Sequence, residues 1–98
     1  MIVVFHGIDR PDSAELRAAT RPAHLEFQER RGNLLGGPLR DDDGRVIGTV
    51  IVFEAPDVAT AREDLADDPY VRAGLFETSS ITEFGGRWPP DVGASPPD

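Results

Sequence analysis

Hydrophobic positions fall along the chain in short runs of two different periods. Residues 2–8, IVVFHGI, alternate as a strand does. Val3 and Phe5 share one face; Ile2, Val4, His6 and Ile8 share the other, and both faces are mostly apolar. Pro11-Asp12 breaks the run, and Asp12 with Glu15 three places on makes a capping-box-like helix start. Helical spacing carries through Leu16 to about Ala19. Pro22 cannot donate a backbone hydrogen bond, so a bend or restart is expected near Thr20 and Arg21. A second helical piece then runs from Ala23 to Arg31, with His24 in its first turn and Gly32 as its stop. Residues 34–39, LLGGPL, read as a short strand broken by its glycines, and Asp41 to Gly44 as a turn. Residues 45–54, RVIGTVIVFE, are the longest strand. Val46, Val50 and Val52 lie on one face of it; Ile47, Ile51 and Phe53 lie on the other. Asp57 caps a helix with Val58, Ala61 and Leu65 on one side, ended by Asp68 because Pro69 disfavours helical geometry before it. Residues 75–84, LFETSSITEF, form the last strand.

The order βαββαβ predicts an α+β, ferredoxin-like domain over residues 1–87: a four-stranded antiparallel sheet with two helices on one face. Residues 88–98, rich in Pro, Gly, Ser and Asp, are expected to form a flexible tail that Trp88 pins at its start. The two-sided strands carry a further consequence. Helices cover one face of such a sheet, and strands apolar on both faces need two covers. An uncovered face would exceed the apolar patch of roughly a few hundred Å² that monomers tolerate. The economical cover is the same face of a second copy, which predicts a homodimer whose sheets close together like a barrel.

Composition narrows the function. A net charge of −8 disfavours phosphate backbones, and no basic stripe with interleaved aromatics appears, so no nucleic-acid partner is expected. With no cysteine, disulfides, thiolate catalysis and cysteine metal sites fall away. No run approaches 18 apolar residues, and MIVVFHGIDR has neither a basic n-region nor a cleavage site. The expectation is a cytoplasmic protein away from membranes.

Few residues carry chemistry. His24 is either a packed histidine or a base awaiting a carboxylate. Glu26 and Glu29 are near in sequence but point elsewhere on a helix, and Asp68 in DDPYVRAG is a third possibility that spacing alone does not select. Gly36, Gly37 and Pro38 either let a substrate approach the backbone or mark a strand bulge. Arg21 is a fork for a substrate carboxylate or half of a surface ion pair. Tyr70 offers a phenol to a substrate or fills the core, and His6 lines a pocket or the dimer seam, or is a satisfied core histidine. Asp41-Asp42-Asp43-Gly44 lacks the glycine position and closing glutamate of a calcium loop, and no metal site is expected.

Four stretches in this order, RPAHL (21–25), LLGGPL (34–39), GTVIVFEAPD (48–57) and DDPYVRAGLFE (67–77), resemble the YciI-like, YCII-related family over residues 1 to about 84. The resemblance implies the dimeric α/β-barrel group, which includes muconolactone isomerases and small monooxygenases, in accord with the two-sided sheet. It also implies a histidine–aspartate dyad, carried here by His24 and Asp68, and one branch of the family is associated with HCl elimination from a chlorinated aromatic. A neutral imidazole held by a carboxylate at one nitrogen offers the other as a free base, without a metal or organic cofactor. Such help is worth roughly 10²- to 10⁴-fold in rate. The leading expectation is a cofactor-free acid–base enzyme, a lyase or isomerase, acting on a small cyclic or aromatic molecule. The alternatives are a non-catalytic dimeric binding module and a structural partner domain.

Overall fold

The computed structural model describes residues 1–86, so the tail expected from Trp88 onward lies outside the described residues. The elements run β1 (Ile2–Asp9), α1 (Ala14–Arg31), β2 (Leu35–Arg40), β3 (Val46–Glu54), α2 (Val58–Leu65), α3 (Pro69–Arg72) and β4 (Phe76–Phe84). The strands make one sheet in the order β2-β3-β1-β4, with every neighbouring pair antiparallel. This is the ferredoxin-like βαββαβ arrangement expected from the pattern, with α3 as an added turn of helix after α2.

The period-two pattern sorts the strands as it should. Val3 and Phe5 of β1 and Ile51 and Phe53 of β3 point to the helix face, where they pack with Ala61 and Leu65 of α2. The residues that alternate with them point to the open face, where Val4 pairs with Val52, and Val52 with Leu35. Val4, Val50 and Val52 there are only half-buried, and Leu35 and Phe84 remain 44 % and 43 % exposed. β1 and β3 approach closely where both carry glycine. A Cβ on Gly48 would run into the Gly7 carbonyl oxygen, so no larger residue fits.

α1 departs from expectation in two ways. It is one continuous helix through Pro22, so His24 sits in its middle rather than in a first turn. Pro22 and Ala18 are both exposed, so the carbonyl that loses its partner lies on the solvent side, and contacts on the buried side anchor both halves. Its N-cap is Ser13, not Asp12, and Ser13 makes no side-chain cap bond; Asp12 instead takes a left-handed φ of 58° in the turn before it. The C-terminal stop at Gly32, with φ 80°, is as expected.

The two long helices contribute differently. α2 buries alanine and leucine, whereas the buried residues of α1 are His24 and Gln28. The apolar core therefore lies under α2, and the side chains that α1 buries fully are polar.

Candidate active site

Asp68 is fixed by local sequence chemistry. It caps α3, its Oδ1 accepting the Tyr70 backbone N–H at 2.8 Å, and Pro69 takes the first helical position, where no N–H is needed. This short helix turns the carboxylate inward until it is 1 % exposed. α1 supplies its other partners from positions one turn apart. His24 Nδ1 lies 2.8 Å from Asp68 Oδ1, and Gln28 Nε2 donates to Oδ2. An ionised carboxylate only accepts, so the His24 proton sits on Nδ1 and Nε2 is the free nitrogen of the neutral ring.

Tyr70 holds the imidazole from its face. The two rings stack with centroids 3.9 Å apart at 18°. Burial pushes the Tyr70 phenol above its ordinary value of 10.0, against the pull of Arg17 and Arg21, so it stays protonated at neutral pH. Arg17, two turns before His24 on α1, donates to Asp9 Oδ2 from Nε at 2.7 Å and to Oδ1 from Nη2 at 3.0 Å. Nη2 also reaches Thr49 Oγ1 at 2.6 Å, and Nη1 the Tyr70 oxygen at 3.5 Å. Burial works against the Arg17 charge, but the Asp9 hydrogen bonds and charge outweigh it and raise its pKa. This bond set fastens α1 to β1, β3 and α3 around the histidine.

His24 opens into a cleft of about 250 Å³ between α1 and the strands β2 and β3. Arg21, Gly37, Pro38 and Tyr70, all singled out from sequence, line it with His24, and Asp68 lies behind the histidine. His6 does not. It is exposed on the open face of the sheet, paired with Val50 and Ser80, because it alternates with the buried Phe5 and Gly7. A pocket role for His6 within this chain is therefore corrected: its face is that of the proposed dimer seam. Sequence reasoning passed over Arg17, Gln28, Arg40 and Thr49, which also line the cleft. A wider hollow of about 900 Å³ beside the β1–α1 turn shares Arg17 and Arg21 with the cleft but contains neither member of the dyad. Among the described residues no group of three or more His, Cys, Asp or Glu is arranged to hold a metal, and no helix is long and apolar enough to cross a membrane.

The arrangement is competent for proton transfer: a sheltered imidazole, its tautomer set by a buried carboxylate, facing a small cavity. Comparison with known proteins gives it a context. The YCII-related domain matches residues 1–85. Protein YciI of Escherichia coli O6:H1 is 33 % identical over 94 residues, spanning 86 % of this chain and 96 % of its own length, and Protein YciI of Shigella flexneri matches to the same extent. Among solved structures, 5-chloro-2-hydroxyhydroquinone dehydrochlorinase (TftG) from Burkholderia phenoliruptrix AC1100, in complex with 2,5-dihydroxybenzoquinone, superposes with a TM-score of 0.77 at 26 % identity. It covers 86 % of this chain and 93 % of its own. An antibiotic biosynthesis monooxygenase superposes with a TM-score of 0.51 at 15 % identity, over 84 % of this chain and 94 % of its own, a likeness of fold alone.

Proposed function

The chain belongs to the YCII-related domain family, and on that premise we propose that it works as a cytoplasmic, homodimeric acid–base enzyme. His24 and Asp68 are its dyad, and it acts by elimination or isomerisation on a small cyclic or aromatic substrate. The observation that carries this reading is the His24–Asp68 pair. A carboxylate 1 % exposed spends its acceptors on Nδ1 of an imidazole, the Tyr70 amide and Gln28. In the proposed reaction His24 Nε2 takes a proton from a carbon or oxygen beside a carbonyl. Asp68 stabilises the imidazolium so formed, and the same nitrogen returns the proton to product or leaving group. This chemistry asks for no metal or organic cofactor. The similarity to a dehydrochlorinase holding a dihydroxybenzoquinone supports an oxygenated ring as substrate class. Arg21, Gly37, Pro38 and Tyr70 are the proposed substrate contacts, because they line the cleft together with the base.

The second copy is proposed from the open face of the sheet. Ile2, Val4, Ile8, Val50 and Val52 stay half-buried there, with Leu35 and Phe84 exposed beside them. The same face of a partner covers them most economically.

The test is a search for His24-dependent proton transfer: deuterium washout or halide release from substituted hydroquinones, quinones and cyclic ketones. The parent is expected to turn over at least one of them, and His24→Gln to fold with unchanged circular dichroism and lose about 10²- to 10⁴-fold in rate. A His24→Gln enzyme as fast as the parent would remove the dyad from the mechanism. Ligand affinity without turnover in either protein would make the cleft a binding module.

A further inference from the structure

The cleft beside His24 has a charge opposite to that of the protein. The chain carries 18 acidic and 10 basic residues, yet three arginines line this cleft and no aspartate or glutamate does. One of the three is already neutralised. Arg17 has Asp9 against both its Nε and its Nη2. Arg21 and Arg40 have no ion pair or hydrogen bond among the described residues, and both are exposed. They approach from different walls. Arg21 stands three residues before His24 on the same side of α1, and Arg40 ends β2 across the cleft. The strand wall between them is low, because Gly36 and Gly37 carry no side chain there.

Two cations without a partner among the described residues, lining one small cavity that has no carboxylate in its walls, are a place for an anion. The rest of the lining says which kind. Leu25, Val46 and Ile51 give it an apolar wall, and about 250 Å³ is less than the roughly 300–1,000 Å³ of drug-sized sites, so the guest is about one ring in size. The two planar guanidinium forks match the geometry of a carboxylate. We propose that the substrate of this site is a small ring compound bearing a carboxylate, held between Arg21 and Arg40 with its ring toward His24. The proposal deepens the acid–base reading and rests on it for the identity of the site, while the binding it asserts can be measured without turnover.

The experiment is a titration of the full chain at low salt with benzoate, benzamide and phenyl phosphate, followed by calorimetry and by the NMR signals of the His24 ring. Benzoate and benzamide share a shape and differ in charge. Benzoate is expected to bind at least about 10-fold more tightly than benzamide, to shift the His24 resonances, and to weaken as salt rises. Arg21→Gln and Arg40→Gln are each expected to lower benzoate affinity about 10-fold and leave benzamide unchanged, with part of the loss recovered in Arg21→Lys. Arg62→Gln, on the exposed side of α2, serves as the charge-matched control and binds benzoate as the parent does. Equal binding of benzoate and benzamide, parent-like benzoate binding by both cleft variants, or phenyl phosphate bound 10-fold more tightly than benzoate would each overturn the carboxylate clamp. Failure of the clamp and failure of the dyad separate cleanly. His24→Ala that keeps the benzoate preference supports the clamp whether or not turnover is ever found. His24-dependent turnover of neutral rings with no benzoate preference overturns the clamp and leaves the dyad standing.

Discussion

Replacing Asp68 by alanine or by asparagine separates its two tasks, satisfying buried donors and carrying charge. In the parent, Oδ1 accepts from His24 Nδ1 and the Tyr70 amide, each at 2.8 Å, and Oδ2 accepts from Gln28. Alanine removes every acceptor at once and strands an imidazole N–H, a backbone N–H and a side-chain amide. A buried donor left unmade costs about 1–3 kcal/mol, so three of them, eased by water entering the vacated space, cost about 3–5 kcal/mol. That is a large share of the roughly 5–15 kcal/mol that holds a domain of this size together. Asparagine keeps one oxygen for His24 and Tyr70. Its amide nitrogen then faces Gln28, whose Oε1 has no hydrogen-bond partner in the parent and can turn to accept. All three contacts survive as neutral bonds in place of charged ones, a loss of about 1–2 kcal/mol. Urea denaturation at one fixed protein concentration reads the difference. With a slope of about 1–3 kcal/mol per molar urea, the Asp68→Ala midpoint should fall about 1–2 M below that of Asp68→Asn. Equal midpoints would refute the view that Asp68 is held by three donors. Long-range proton–nitrogen correlation of the ring gives a second reading, with the His24 proton expected on Nδ1. A proton on Nε2 would refute the orientation from which the base is argued.

Two further outcomes follow from single residues. Val52 sits in the middle of the open sheet face, paired with Val4 and Leu35. Val52→Lys is therefore expected to halve the mass seen by sedimentation, from twice 10.6 kDa to 10.6 kDa, with native circular dichroism retained; a parent already monomeric at micromolar concentration would sink the dimer. Asp57 caps α2 by accepting the Thr60 backbone N–H at 2.6 Å, and that bond holds its carboxyl below the ordinary 3.8. A carboxyl held low in the fold stabilises it above the unfolded value and ceases to do so as pH falls through the folded one. The melting-temperature gap between parent and Asp57→Ala should thus be full at pH 7 and close as pH drops below 3.8; a gap that persists unchanged at pH 2 would show the cap is not electrostatic.

Much of the architecture is legible in the chain because period-two runs are long and punctuated. Residues 2–8, 45–54 and 75–84 each match a strand to within a residue, and Gly32 and Asp57 mark helix ends by the chemistry expected of them. The misjudged element is α1, where a local rule about Pro22 lost to long-range contacts. Arg17 before the proline is tied to Asp9 and Thr49, and His24 and Gln28 after it to Asp68. Those partners come from β1, β3 and the α2–α3 junction, so nothing within the helix announces them. Asp68 is similar. DPY shows a cap and a proline start, but that the capped carboxylate also faces a helix 44 residues earlier is a fact of packing, supplied in the sequence only by likeness to relatives.

The overlooked residues did leave a signal, of a kind that composition-weighted reading discards. Arg17, Arg21, His24, Gln28 and Arg31 recur at spacings of four, three, four and three along α1, the spacing of a single helix face, and every one of them is polar. An amphipathic helix reverses this, turning apolar residues inward. The inversion makes sense only if what α1 faces is a site rather than a core. Arg17 at one end grips Asp9 beside the cleft; Arg31 at the other lies over the core ring of Phe53 at 3.7 Å, with burial lowering its pKa. Stability of the α1 contact thus rests on polar bonds that act only in one geometry, unlike grease, which tolerates sliding. A helix attached this way holds His24 at fixed reach from Asp68, and the cleft it roofs keeps its shape without a large core of its own. The same attachment explains why residues 1–86 can leave one sheet face uncovered among themselves yet hold a defined cavity on the other. The apolar packing is concentrated under α2, and α1 is left free to be chemistry.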